Sequence, residues 1–230
     1  MRRIGFSTGA LAKGDFQRAL TAMRPSLDVA SYGYVSVHAP TRFPEADEPA
    51  VVSLLKKLTT IGWPIVVHPD VIFNDSLWLG FGDDLILENS DRRKRSGRTA
   101  EDMDALFSRF PRARFCFDVG HARQVDPTMT EAHLILQQTG DRLCQVHLSE
   151  VNYFSRHDPL SSAAIEATQR IAPMVPQDVP IILETLIDQG QSTIEAEIRR
   201  ATAALQPMFS GRGLIEPVPT SAPPDSVLHN

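Results

Sequence analysis

The chain has 230 residues and a mass of 25.4 kDa, with 42% hydrophobic and 22% charged residues. These proportions are typical of one folded domain with a substantial core, and the net charge of −5 disfavours a protein that coats nucleic acid. Only two cysteines occur, Cys116 and Cys144, so a disulfide framework is not expected. The first residues lack the apolar region of a signal peptide and no stretch is long enough to cross a bilayer, so we expect a cytoplasmic protein without membrane partners.

Short apolar runs alternate with helical patterns along the chain, at intervals of roughly 25–35 residues. Strands are predicted near residues 3–8, 34–39, 64–69, 84–89, 114–118, 144–149 and 180–185. Helices are predicted near residues 15–24, 47–61, 99–109, 129–139, 160–173 and 191–206. The near-continuous apolarity of the strands indicates a parallel sheet covered by helices. Because no glycine-rich dinucleotide motif follows the first strand, we predict an α/β fold with a TIM-type barrel rather than a doubly wound sheet.

One strand-helix unit is missing from this pattern, because a complete barrel has eight strands and seven are clear here. Residues 27–30 (LDVA) resemble a strand, but the crossover of about a dozen residues that a parallel partner needs does not follow them. We therefore predict that a unit is absent near residues 25–33, or that the barrel closes irregularly. Residues 1–210 are predicted to form this single barrel domain, and residues 211–230, rich in proline and serine, a disordered tail.

Six of the predicted strands end in side chains that bind divalent metals. These are His38, His68, Glu88, Asp118 with His121 three residues later, His147 and Glu184. Imidazoles and carboxylates are the ligands that Zn, Mn, Fe or Co prefer, and a parallel barrel brings the C-terminal ends of its strands together in one pocket. The sequence therefore predicts a metalloenzyme with at least one divalent ion and a donor set large enough for two or three.

Each candidate ligand also has an ordinary structural explanation. The two glutamates could pair with arginines, Asp118 could cap a helix, and the histidines before prolines could hydrogen-bond to the backbone. His157, in a loop beside Arg156 and Asp158, is balanced between a ligand and a surface ion-pair partner. Gly120 is expected to allow a tight turn that directs the side chains on either side of it inward.

The loop directly after Glu88 carries the strongest local charge cluster. Its members are Arg92, Arg93, Lys94, Arg95 and Arg98. Because this loop should lie above the predicted pocket, Arg92 and Arg95 are candidates for binding a substrate phosphate, and Arg123, which follows another strand, is a third. The alternative is a solvated loop without a ligand.

From Ile4 to Leu205 the chain resembles the xylose isomerase-like TIM-barrel superfamily, which includes sugar isomerases and epimerases and the endonuclease IV type of nuclease. The motifs LILEN, FDVGH, VHLSE and ILET carry the resemblance. For the isomerases and epimerases it implies one divalent metal on Glu88, Asp118, His147 and Glu184. It also implies that Glu88 and Glu184 flank the substrate and shuttle protons, and that His121 contacts substrate or metal.

The resemblance to the nuclease branch implies a larger donor set around three metals. The matching positions are His38, His68, Glu88, Asp118, His121, His147, His157 and Glu184. One position differs, since Ser155 stands where the nuclease has an aspartate, and the nearby Asp158 is a conceivable substitute. The missing anionic ligand weakens the third site most.

The primary hypothesis is a metal-dependent sugar or sugar-phosphate isomerase or epimerase, with Glu88, Glu184 and His121 as catalytic residues. The alternative is a multinuclear phosphoester hydrolase, and a third hypothesis is a barrel that has lost catalysis. The acidic net charge and the short loops favour a small sugar or phosphorylated substrate over nucleic acid.

Overall fold

A computed structural model describes residues 3–6, 33–186 and 191–206 of the chain. Its strands are β1 (Ile4–Phe6), β2 (Val37–His38), β3 (Ile65–Val67), β4 (Leu85–Glu88), β5 (Arg114–Asp118), β6 (Leu143–Leu148), β7 (Glu150–Val151), β8 (His157–Asp158) and β9 (Ile181–Leu183). All except β7 and β8 form one parallel sheet, in the order β1, β9, β6, β5, β4, β3, β2. The seven predicted strands are confirmed, and β7 and β8 add a short antiparallel hairpin that the sequence analysis missed.

The described helices cover the outside of the sheet. They are α1 (Glu48–Thr59), α2 (Asp75–Leu79), α3 (Ala100–Arg109), α4 (Val119–Val125), α5 (Thr130–Thr139), α6 (Ser162–Ile171) and α7 (Gln191–Ala204). Side chains cap two of them, since Thr99 Oγ1 accepts from the Asp102 N–H and Ser161 Oγ from the Ala164 N–H. Five predicted helices are confirmed, whereas α2 and α4 were not predicted. The helix predicted at 15–24 and the tail predicted at 211–230 lie outside the described residues.

The sheet curls like a barrel that is open at one position. In a complete barrel each strand pairs with the next, and the last pairs with the first. Here β2 to β6 pair in chain order, β9 follows β6, and β1 pairs with β9 at Ile4 and Ile181. No pairing between β1 and β2 is found in the described part of the chain, which does not include residues 7–32 between them.

Two layers of side chains lie on the two faces of this sheet. The larger layer fills the space between strands and helices and includes Trp78, Phe115 and Phe117, all fully buried. The smaller layer lies inside the curl and consists of Val66, Ile86 and Cys116. Within the described ranges, no helix is both long and apolar enough to span a membrane.

Candidate metal centre

The strand register explains why the candidate ligands share one pocket. Alternate residues of a strand point to the same face, so a residue two positions after an interior side chain is also directed inward. Val66, Ile86 and Cys116 form the interior layer, and His68, Glu88 and Asp118 follow them by two positions at the C-terminal ends of β3, β4 and β5. The interior layer is therefore the floor of the pocket.

Glu88 lies at the centre of a cluster of four imidazoles. Its Oε2 atom is 2.8 Å from His38 Nε2 and 3.6 Å from His68 Nε2. Its Oε1 atom is 2.9 Å from His147 Nδ1 and 3.8 Å from His121 Nδ1. Each carboxylate oxygen of Glu88 thus faces two histidines, and no arginine or lysine is paired with it in the described structure.

Asp118, Glu184 and His157 complete the cluster. Asp118 Oδ2 is 3.6 Å from His121 Nδ1, and Glu184 Oε1 is 3.3 Å from His147 Nδ1. His157 Nδ1 is 3.5 Å from Glu184 Oε2. The structure therefore brings together all eight residues that the sequence indicated as metal ligands.

Three overlapping groups of donors have the spacing that a metal ion requires. They are Glu88 with Asp118, His147 and Glu184; Glu88 with His38 and His68; and Glu88 with Cys116 and His147. In each group the ligand atoms all lie within 4.8 Å of one another. Glu88 belongs to all three groups and is therefore the central candidate ligand.

The side chains of the cluster differ in how much they are exposed to solvent. The side chains of Glu88 and Asp118 are fully buried, whereas those of His38 and His157 are each 28% exposed and that of Glu184 is 14% exposed. Glu88 and Asp118 therefore form the base of the site, and the other three residues form its rim. A substrate would meet the rim first.

Asp118 combines a structural role with an unused acceptor. Its Oδ1 accepts from the His121 N–H at 2.6 Å and caps α4, while its buried Oδ2 has no hydrogen-bond partner among the described residues. The expected tight turn at Gly120 was wrong, because this glycine lies in the first turn of α4. A Cβ atom there would lie 2.5 Å from Val151 Cγ2 and 2.8 Å from Ser149 O, so glycine is needed for the close approach of the hairpin.

Backbone carbonyls fix the protons of two of the histidines. His38 Nδ1 donates to Ala39 O at 2.6 Å, and His121 Nδ1 donates to Asn89 O at 2.9 Å. The Nε2 atom of a neutral imidazole held in this way is a free acceptor. Only 2.8 Å separates His38 Nε2 from a carboxylate oxygen, so a proton or a cation must lie between the two atoms.

The pKa values show how the cluster is balanced. Burial opposes ionisation of Glu88, but the charge of His147 and the hydrogen bonds from His147 and His38 outweigh it and hold the pKa of Glu88 well below the usual range. Burial raises the pKa of Asp118 to about 6, against the opposing charge of His121. Burial lowers the pKa of His68 to about 3, which keeps this imidazole neutral. Burial opposes the charged form of His147 as well, but the charges of Cys116, Glu184 and Glu88 raise the pKa of this imidazole well above its ordinary value. Neutral imidazole is the form that binds metals, so a bound cation would replace the proton of His147.

The donor set fits a divalent cation. Three carboxylates and five imidazoles converge without a guanidinium or ammonium group in the described structure to neutralise them. The partnerless Asp118 Oδ2 and His68 Nδ1 are buried polar atoms of the kind that a bound ion or water would satisfy. Glu88 and Glu184 contact histidines in the described structure, and not arginines as the alternative explanation required.

The third metal position of the nuclease pattern is weakly supported. Ser155 has a positive φ of 53° at the hairpin turn, and its hydroxyl contacts Gln124 rather than the cluster. Asp158 Oδ2 accepts from Asn152 Nδ2 at 2.8 Å, and this carboxylate is not a member of the donor groups found among the described residues. His157 Nδ1 is 2.8 Å from Ser149 Oγ, a contact that orients this ring beside Glu184.

The candidate phosphate-binding arginines differ in their surroundings. Arg92 lies over the ring of Tyr153, with its Cζ 3.9 Å from the ring centroid. Arg123 forms an ion pair with Glu150 at 2.8 Å, which occupies its guanidinium. Arg95 is exposed on the loop after β4.

Two residues that support the ligands were missed in the sequence. Asn89 joins β4 to β5, because its side chain donates to Asp118 O and accepts from the Asp118 N–H. The Gln145 side chain lies between the Tyr34 hydroxyl, at 2.6 Å, and His147 Nε2, at 2.7 Å. The only available signal was position, since Asn89 directly follows Glu88 and Gln145 precedes His147 by two residues on the same face of β6.

Comparisons with known proteins agree with this architecture. No protein-family model matches the sequence, and neither does any curated protein. Among solved structures, endonuclease IV from Thermus thermophilus is similar with a TM-score of 0.61 at 20% identity, covering 88% of this chain and 98% of that one. A D-tagatose 3-epimerase-like protein gives 0.60 at 16% identity, covering 87% and 96%. A 3-keto-D-glucoside 4-epimerase from E. coli gives 0.53 at 14% identity, covering 89% and 99%.

These similarities concern the fold. The chain shares the TIM-barrel fold of these three structures, as its sequence indicated.

Proposed function

We propose that this chain is a metal-dependent phosphoester hydrolase in which Glu88 bridges two divalent ions. The observation that carries the proposal is the placement of His38 and His68 against one oxygen of Glu88, and of His147 and His121 against the other. A site for a single ion, held by Glu88, Asp118, His147 and Glu184, does not need His38 and His68. The two pairs of histidines therefore favour a hydrolase over the isomerase that the sequence predicted.

The burial of Glu88 supports the same choice. An isomerase whose two glutamates exchange protons with the substrate needs both carboxylates within reach of it. The Glu88 side chain is fully buried behind four imidazoles, whereas Glu184 remains partly exposed. This difference suits a bridging ligand at the base and an accessible carboxylate at the rim.

The residues of the rim suit attack by water on a phosphoester. Divalent ions held by the cluster would stabilise negative charge on the phosphoryl oxygens and favour ionisation of a water nucleophile. Glu184 is placed to accept a proton from that water, and the His157 ring beside it is placed to orient Glu184. Arg92 and Arg95, on the loop after β4, would contact phosphate groups flanking the scissile bond.

A sugar isomerase or epimerase is the second candidate. It is favoured by the compact group of Glu88, Asp118, His147 and Glu184, whose four ligand atoms suffice for one ion. In that case Glu184 and Glu88 would remove and return the proton next to the substrate carbonyl. His38 and His68 would then be dispensable for metal binding.

The His68→Ala variant separates these two functions, with His133→Ala as a matched control because His133 is exposed on α5. We expect about two ions per wild-type chain by elemental analysis and hydrolysis of bis(p-nitrophenyl) phosphate. His68→Ala should lose one ion and most of the hydrolytic activity. His133→Ala should keep the metal content and the activity of the wild type. One ion per chain in wild type and variant alike, with sugar epimerisation unaffected, would favour the isomerase, and a chain without metal would indicate lost catalysis.

A further inference from the structure

The strand β6 contains one extra residue, which decides which of its side chains face the interior of the barrel. The pairing of β6 with β5 shifts by one residue at Cys144, which is therefore a β-bulge. Leu143 and Val146 both belong to the outer core layer, although side chains of a regular strand that lie three positions apart point to opposite faces. Because the bulge shifts this alternation, Gln145 and His147 both face the interior.

Gln145 is a buried polar residue whose side chain connects three other side chains. It is 0% exposed. Its Oε1 atom accepts from the Tyr34 hydroxyl at 2.6 Å, and its Nε2 atom donates to Cys116 Sγ at 3.3 Å. The same nitrogen lies 2.7 Å from His147 Nε2. A chain of hydrogen bonds therefore runs from Tyr34 through Gln145 to a candidate metal ligand.

The His147 ring presents its other nitrogen to the metal cluster. Its Nδ1 atom is 2.9 Å from Glu88 Oε1 and 3.3 Å from Glu184 Oε1. A cation shared with these carboxylates would therefore bind through Nδ1, and the one proton of the neutral ring would then be on Nε2. The group that lies within hydrogen-bonding distance of this N–H is the Gln145 amide.

We propose that Gln145 is a positioning residue, whose amide accepts from the Nε2–H of metal-bound His147 and keeps Nδ1 directed towards the cluster. Tyr34 anchors this amide from the other side. The inference rests on the metal centre of the proposed function and does not depend on the reaction.

The amide orientation is the part of this arrangement that changes with the state of the ring. With its nitrogen towards His147 Nε2, the amide suits a ring that carries its proton on Nδ1. A half-turn brings the amide oxygen to Nε2 and the amide nitrogen to Tyr34. Tyr34 and Cys116 tolerate both orientations, because a phenol and a thiol can each donate or accept a hydrogen bond.

Three variants separate the hydrogen bonds of Gln145 from its packing. Gln145→Met removes the hydrogen bonds at a similar side-chain length, Gln145→Glu keeps an acceptor, and Tyr34→Phe removes the anchoring hydroxyl. Binding of Zn²⁺ to the full chain is measured in competition with a chelator. It is followed through the NMR signals of isotope-labelled His147, so that only the ion bound at this residue is counted.

The affinities should fall in a definite order. We expect Gln145→Met to bind Zn²⁺ about 10–100-fold more weakly than the wild type, as is usual when the partner of a ligand histidine is removed. Tyr34→Phe should lose about tenfold, because the amide remains but is less well fixed. Gln145→Glu should bind at least as tightly as the wild type, since a carboxylate that accepts from a ligand histidine makes it a stronger ligand.

The same spectra show which nitrogen of His147 carries the proton. In the zinc-bound wild type we expect the proton on Nε2, with signals assigned by their loss in His147→Ala. Gln137→Met is the matched control, because Gln137 is exposed on α5, and it should bind Zn²⁺ like the wild type. Circular dichroism checks the fold of each variant, and Tyr34→Phe, which removes a single oxygen atom, is the test that remains if a Gln145 variant does not fold.

Three results would overturn the inference: wild-type affinity in Gln145→Met, an equal loss in Gln145→Met and Gln145→Glu, or a zinc-bound His147 with its proton on Nδ1. An equal loss would mean that Gln145 acts only by packing. Dependence of zinc binding on Gln145 in a chain that does not cleave bis(p-nitrophenyl) phosphate refutes the proposed function alone. Cleavage with an affinity that does not depend on Gln145 refutes the inference alone, and a chain that binds no zinc overturns both.

Discussion

Glu48 and Glu88 are both buried glutamates, yet their surroundings are opposite. Glu48 is 2% exposed, and one of its oxygens accepts from three N–H groups, those of Phe73, Asn74 and the Trp78 indole. Glu88 is 0% exposed and faces four imidazoles instead. The N–H groups around Glu48 are hydrogen-bond donors at every pH. The imidazoles around Glu88 can either donate a hydrogen bond when protonated or bind a metal ion when neutral. The comparison separates a carboxylate that stabilises a loop from one that is placed to bind a cation.

The largest expected effect concerns the metal side of this comparison. We predict that His147→Ala and Asp118→Asn each lose the ion held by the group of Glu88, Asp118, His147 and Glu184, and leave the fold intact. Asparagine is the sharper change at Asp118 because it can still accept from the His121 N–H and cap α4, while it removes the anionic ligand. Elemental analysis gives the metal content, and circular dichroism gives the fold. Full metal occupancy in either variant would show that these residues are not ligands.

Substitution of Glu48 is expected to lower the stability of the protein without reducing its metal content. Glu48→Ala leaves three N–H donors without their acceptor, the Trp78 indole fully buried and the Phe73 and Asn74 N–H groups partly buried, and an unsatisfied buried group costs about 1–3 kcal/mol. We expect the free energy of unfolding to fall by roughly 3–5 kcal/mol in urea titrations. Glu48→Gln, which keeps one acceptor oxygen, should lose less. If Glu48→Ala unfolds like the wild type but binds less metal, the distinction between the two glutamates fails.

The sequence predicted the metal cluster better than it predicted its supports. Six of the eight candidate ligands lie at the C-terminal ends of apolar strands, and the barrel topology alone places such residues together, so Glu88 and Glu184 could be proposed as ligands from local patterns. Glu48 could not, because its partners at Phe73 to Trp78 are brought to it only by folding. The helices α2 and α4 were missed because five and seven residues are too few for a helical period to be visible. The hairpin of β7 and β8 was missed because each of its strands has only two residues.

Gly120 tests a smaller effect within the site itself. The Cβ of an alanine there would meet the Ser149 carbonyl oxygen at 2.8 Å, and this backbone atom cannot move without shifting the hairpin. We expect Gly120→Ala to lower the free energy of unfolding by about 1–3 kcal/mol, as other overpacked positions do. Gly140→Ala is the control, since a Cβ at Gly140 meets nothing within 4 Å. Equal stability of the two variants would show that the hairpin has room to move away from α4.

The smallest expected effect belongs to the exposed arginines of the loop after β4. Asp91 and Asp70 already pair with Arg93 and Lys94, and Arg98 is only partly exposed. Arg92 and Arg95 are the exposed cations of this loop that remain available to a substrate phosphate. We expect Arg92→Ser and Arg95→Ser to weaken binding of a single-stranded oligonucleotide only severalfold, because exposed ionic interactions are screened by salt. The slope of log affinity against log salt should become shallower by about 0.7 for each arginine that no longer neutralises a phosphate. Binding of an uncharged nucleoside should not change in these variants. An unchanged salt slope would mean that Arg92 and Arg95 are solvated and do not contact the substrate.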